Sequence, residues 1–112
     1  MSRNFDFNAV TQTTMNITLP DAQRTRLTLT APKVSLVERL SANAAQMLAV
    51  FQSKDASAIR EIYALIAKLL SCNKEHHTVT AEAALDCLTT DHVTAFVVAY
   101  MDFLTEIKQA KN

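Results

Sequence analysis

Two short stretches near the N-terminus alternate apolar with polar residues, and from residue 35 onward the chain follows the longer period of amphipathic helices. "MNITL" (15–19) and "RLTLT" (26–30) carry the two-residue period of strands. Between them "PDAQRT" supplies a proline and an aspartate, both good turn formers. Folded back on each other, the stretches form a β-hairpin with Ile17, Leu19, Leu27 and Leu29 on one apolar face. Two strands alone are barely stable, so that face must lie on helices or pair with another chain.

The rest predicts helices. Ser35 as N-cap and Glu38 three residues later read as a capping box, each side chain satisfying a free backbone N–H. Leu36, Val37, Leu40, Ala44, Met47, Leu48 and Phe51 then fall on one helical stripe, which "QSKD" breaks. "ASAIREIYALIAKLLS" repeats the spacing with Ile59, Ile62, Tyr63, Ile66, Leu69 and Leu70. Thr80 is placed to cap a short helix whose inward residues are Ala84, Leu85 and Leu88. Thr90 or Asp91 caps the last helix, whose stripe is Val93, Phe96, Val97, Tyr100, Leu104 and Ile107. The expected fold is mainly α with a small N-terminal β-hairpin, an α+β chain. One domain spans 1–112: a loosely ordered segment (1–14), the hairpin (15–30) and a bundle of about four helices (35–110).

Composition removes whole classes of function. The 112 residues contain no glycine, where average usage gives roughly eight. Glycine-rich phosphate loops, dinucleotide fingerprints and G-x-S-x-G elbows are therefore excluded. Eleven basic and eleven acidic residues cancel, and no basic stripe of the kind that meets nucleic acid is present. Apolar runs are too short to span a bilayer. "MSRNFDFNAV" lacks a signal-peptide core, which predicts a cytoplasmic chain with reduced thiols.

Only "LLSCNKEHHTVTAEAALDCL" (69–88) looks like chemistry, since it holds both cysteines and two of the three histidines. Zinc sites use close ligand pairs such as C-x-x-C. Cys72, His76, His77, Cys87 and His92 offer no close cysteine pair, and Cys87 sits among apolar neighbours in an amphipathic segment. The expectation is a helix connector, with no catalytic residue, no metal and no cofactor. Glu82, Asp86, Asp102 and Glu106 read as a solvated face.

The last helix is apolar over more of its circumference than one packing face needs. Met101 and Phe103 flank Asp102, so "AFVVAYMDFL" can serve one interface inside the domain and another with a partner, or else lie at the bundle's centre.

The order of these features resembles the small tail assembly chaperones of long-tailed bacteriophages and prophages, in particular those of Gram-positive bacteria. The likeness is carried by "FDFN", the hairpin, "APKVSLVERL", "ALIAKLLSCNKE" with the threonine-capped short helix after it, and "FVVAYMDFLTEI" before "KQAKN". It covers most of the chain and rests on order and hydrophobicity, with no chemical motif. The His76–His77 pair and the alanine-rich middle match no family signature. The resemblance implies a non-enzymatic factor that keeps the tape measure protein soluble until tail tube protein polymerises around it. Such factors self-associate in some cases, and many also exist in a frameshifted longer form. They are absent from the mature virion and bind neither nucleic acid nor membrane. On this reading Phe96, Tyr100, Met101, Phe103, Leu104, Ile62 and Tyr63 make the partner contact, and a charge at Phe103 should abolish it in a folded monomer. Two alternatives stand beside it. One is a structural tail or head-completion protein whose hairpin adds to a neighbour's sheet. The other is a small prophage DNA-binding regulator, although "DHVTAFVVAYMDFL" offers phosphates no lysine or arginine before Lys108.

Overall fold

The computed structural model describes residues 5–6 and 13–110, so the expected looseness of 1–14 falls largely outside the described residues. The order is β1 (Met15–Thr18), β2 (Arg26–Leu29), α1 (Val34–Ala44), α2 (Met47–Ser53), α3 (Ala56–Leu70), α4 (Ala81–Cys87) and α5 (Thr90–Ala110). The chain is mainly helical with a small antiparallel hairpin, as the pattern predicts.

The hairpin pairs Met15 with Leu29 and Ile17 with Leu27, which puts the apolar residues on one face. Its turn is held by Asp21, whose carboxylate accepts from the Thr25 N–H (2.9 Å) and the Thr25 hydroxyl (2.7 Å). These bonds favour the charged form and hold the Asp21 carboxyl below the usual carboxylate range. With no glycine available, Arg24, Lys54 and His76 take the left-handed conformation themselves, each in a turn.

Two helix starts differ from expectation. α1 begins at Val34 with Lys33 as its N-cap and no side-chain cap, so Ser35 and Glu38 form no capping box. Lys33 itself is extended, and the first turn closes on its carbonyl, leaving Ser35 already inside the helix. α5 is capped by Thr89 rather than by Thr90 or Asp91. The Thr89 Oγ1 accepts from the His92 N–H (3.2 Å), and His92 Nδ1 accepts from the Thr89 N–H (3.0 Å). This is a capping box with histidine in the place usually held by Glu or Gln. Thr80 caps α4 as expected, accepting from the Ala83 N–H.

The single predicted helix through residue 51 is two. At Gln46 the N–H bonds back only three residues, to Asn43, and this tighter turn shifts the phase of α2 relative to α1. Met47 stays buried while Leu48, expected on the inner stripe, is exposed.

α3 is the hub. Asp55 caps it through the Ser57 and Ala58 N–H groups, and α1, α2, α4 and β2 all pack on it. From Ile62 to Leu70 only Ala64 and Lys68 escape full burial. The Tyr63 hydroxyl donates to the Leu88 carbonyl (2.8 Å), tying α3 to the end of α4. The radius of gyration, 15.6 Å, exceeds the roughly 13 Å of a compact chain this long.

Candidate partner-binding surface

The stretch that looked like chemistry is a structural joint. Asn73 is 8 % exposed and uses its whole amide: Nδ2 donates to the Leu70 and His77 carbonyls, and Oδ1 accepts from the His77 N–H. Ser71 Oγ donates to the Ala67 carbonyl and accepts from the Val79 N–H. The backbone between them runs beside β2: the Thr30 N–H donates to Cys72, and the Lys74 N–H donates to Thr28. Glu75 completes the clamp, its two oxygens accepting from the Thr28 N–H and hydroxyl, both at 2.8 Å. The two bonds from Thr28 hold the Glu75 carboxyl below its ordinary range. The segment therefore makes a single antiparallel bridge, Asn73 beside Leu29, that fastens the hairpin to the end of α3.

The reactive side chains point elsewhere. His76 and His77 are exposed, and His92 is engaged in its cap. Burial, then the charges of Asp21 and Asp86, push the Cys87 thiol up, the opposite of what activates a thiol. Among the described residues no group of three or more His, Cys, Asp and Glu is placed to hold a metal ion. Nor is any helix among them long and apolar enough to cross a membrane.

The residues expected to meet a partner separate into two sets. Ile62 and Tyr63 are buried on α3, and Tyr100 and Phe103 are buried on α5, Phe103 being only 3 % exposed. Phe96 and Leu104 are half-buried against the same core. Phe103 was expected off the inner stripe, yet it lies three residues after Tyr100 and seven after Phe96, which returns it to the same face. Phe96, Tyr100 and Phe103 form a run of ring contacts, with centroids 5.3 and 5.5 Å apart. A charge at Phe103 would therefore disrupt the core, not a surface contact. Among the described residues the buried Tyr100 hydroxyl has no hydrogen-bond partner, and desolvation raises its pKa.

Met101 alone of the expected set stands on the surface, 38 % exposed. Beside it is Val98, 63 % exposed, which sequence reasoning passed over although it lies three residues before Met101 and off the core stripe. Ala95 and Ala99 share this outward side. From His92 to Met101 the helix has no Lys, Arg, Asp or Glu, so its outer face is uncharged over almost three turns.

Compared with protein-family models, curated proteins and solved structures, the chain matches none of them.

Proposed function

We propose that the chain is a non-enzymatic tail assembly chaperone of a bacteriophage or prophage, which covers apolar helical segments of the tape measure protein until tail tube protein assembles on it. The observation that carries this reading is the outward side of α5. A helix in contact with water ordinarily carries charge at every turn, whereas between Asp91 and Asp102 the exposed side of this one shows His92, Thr94, Ala95, Val98, Ala99 and Met101. Its inner side is core, so the outward strip is held on a rigid frame. The small alanines let a second helix approach closely, while Val98 and Met101 supply apolar contact. Methionine adapts to varied neighbours, which suits a long client with many non-identical segments. Covering a stripe needs no reactive group, and the histidines and cysteines serve the frame or face solvent. The sequence resemblance points to the same role and to the host cytoplasm as its place.

Co-expression with the tape measure protein encoded in the same tail gene cluster tests the proposal. The client is expected to be soluble and to co-purify with the chain, and mass spectrometry of finished particles is expected to lack the chain. A client that precipitates regardless, or a chain retained in the particle as a stoichiometric component, would overturn it.

A further inference from the structure

The helical surface leaves one feature unused, the outer edge of β1. We infer that this edge is the interface of a two-fold dimer, in which two copies of the chain pair their β1 strands antiparallel about Ile17. The inference stands apart from the chaperone reading, because it concerns the hairpin and not α5.

Backbone parity comes first. The Leu19 N–H donates to Thr25 (2.8 Å), so Leu19, Ile17 and Met15 direct their backbone groups at β2, and Asn16 and Thr18 direct theirs away from it. On the other side of the sheet the outward groups of Thr28, which faces Asn16, are satisfied by Lys74 and Glu75. On the β1 side, Asn16 and Thr18 have no such partner among the described residues. Burial falls off in the same direction: Leu27 and Leu29 are fully buried, while Met15 and Ile17 are only half-buried.

Edge strands that remain single are usually guarded by a charge, a proline or a bulge. "MNIT" has none of these, its one safeguard being that it is only four residues long. Laid antiparallel about an axis at Ile17, Asn16 of each copy faces Thr18 of the other. Both residues turn N–H and C=O outward, so the two pairs exchange a closed set of hydrogen bonds. Ile17 meets its own counterpart at the shorter spacing of a pair without backbone bonds, about 4.5 Å between Cα atoms. Met15 falls opposite Leu19, which continues the apolar row. Pro20, opposite Thr14, has no N–H to give, and the ladder stops there. No residue from 13 to 19 is charged, so nothing repels. Such self-complementarity is what a two-fold interface requires, and a helical client could not supply it.

The test uses the full chain in sedimentation equilibrium across a concentration series. Wild type is expected to rise towards twice the monomer mass. Thr18→Pro deletes an outward N–H that the hairpin does not use, and it is expected to stay at monomer mass with an unchanged helical spectrum. In a Cys72→Ser, Cys87→Ser background, Ile17→Cys is expected to form disulfide-linked dimers on mild oxidation, because the facing Cα distance suits a disulfide. Thr28→Cys in that background is expected to form none. The cross-link decides the matter alone if Thr18→Pro does not fold. A wild type that stays monomeric throughout would overturn the inference, as would a dimer that survives Thr18→Pro and gives no Ile17→Cys cross-link.

Discussion

α3 and α5 are the two long helices, and both are apolar over more than one face, yet the molecule uses that width differently. α3 is surrounded by α1, α2, α4 and β2, and its second half is buried almost all round. α5 buries Val93, Val97, Tyr100 and Phe103 but turns Val98 and Met101 outward. The width of an apolar stripe therefore counts a helix's neighbours without saying whether they belong to the same chain. On α3 they all do; on α5 one side is left uncovered.

That contrast can be broken most forcefully at neighbouring positions of α5. Phe103→Asp should unfold the chain, since losing a buried Phe costs about 3–5 kcal/mol and an unpaired buried charge adds to that. Total stabilities are only about 5–15 kcal/mol. Met101→Asp, two residues away, should change stability by no more than about 0.5 kcal/mol. Urea denaturation of both variants checks the pair, and equal losses would mean that α5 has no outward side.

The surroundings of α3 depend on the joint at its C-terminal end. Asn73→Ala removes three hydrogen bonds and leaves the Leu70 and His77 carbonyls short of a donor, at an expected cost of about 1–3 kcal/mol. Loss of amide-exchange protection should concentrate in β2 and the last turn of α3. Protection unchanged there would show that the hairpin is held by its apolar face alone.

The two buried tyrosines sharpen the comparison further. Tyr63 on α3 has its hydroxyl bonded to Leu88, so Tyr63→Phe should cost about 1 kcal/mol. Tyr100 on α5 has a buried hydroxyl with no partner among the described residues, so Tyr100→Phe should be neutral or stabilising. Thermal melts of the two variants should move in different directions, or at least by different amounts.

Acid gives the smallest effect. Asp21 and Glu75 both have pKa values lowered by their bonds to threonine. The unfolded chain therefore binds protons more readily than the folded one in this range. The stabilisation is complete above the ordinary carboxylate values near about pH 4 and is lost as pH falls through the lowered ones. Chemical shifts in the hairpin should respond before those of α5, and Glu75→Gln should weaken the response.

Much of this architecture was legible in the sequence. The hairpin and its apolar face come from strict alternation, and Thr80 was visible as a cap because a threonine precedes an amphipathic segment. Where reading failed, distant partners or substitute chemistry decided. Ser35 and Glu38 make a good capping box on paper, but the helix starts two residues earlier, with Lys33 as its N-cap. His92 completes a cap at Thr89 that the usual Glu or Gln pattern does not reveal. Asn73 gives no signal in the sequence, because its value comes from contacts with both ends of the loop. The surface on α5 was half legible. Its excess width was plain, but Phe103 was assigned to the wrong side although its spacing from Phe96 and Tyr100 placed it inside. Val98 was missed because a valine in an apolar run is taken for core by default.

The central claim is that the outward strip of α5 holds a helical client. The most direct measurement compares wild type with a Val98→Asp, Met101→Asp double variant for binding the tape measure protein, with circular dichroism recorded on both. The double variant is expected to be as helical and as stable as wild type and no longer to keep the client in solution. A folded variant that binds the client as wild type does would contradict that claim.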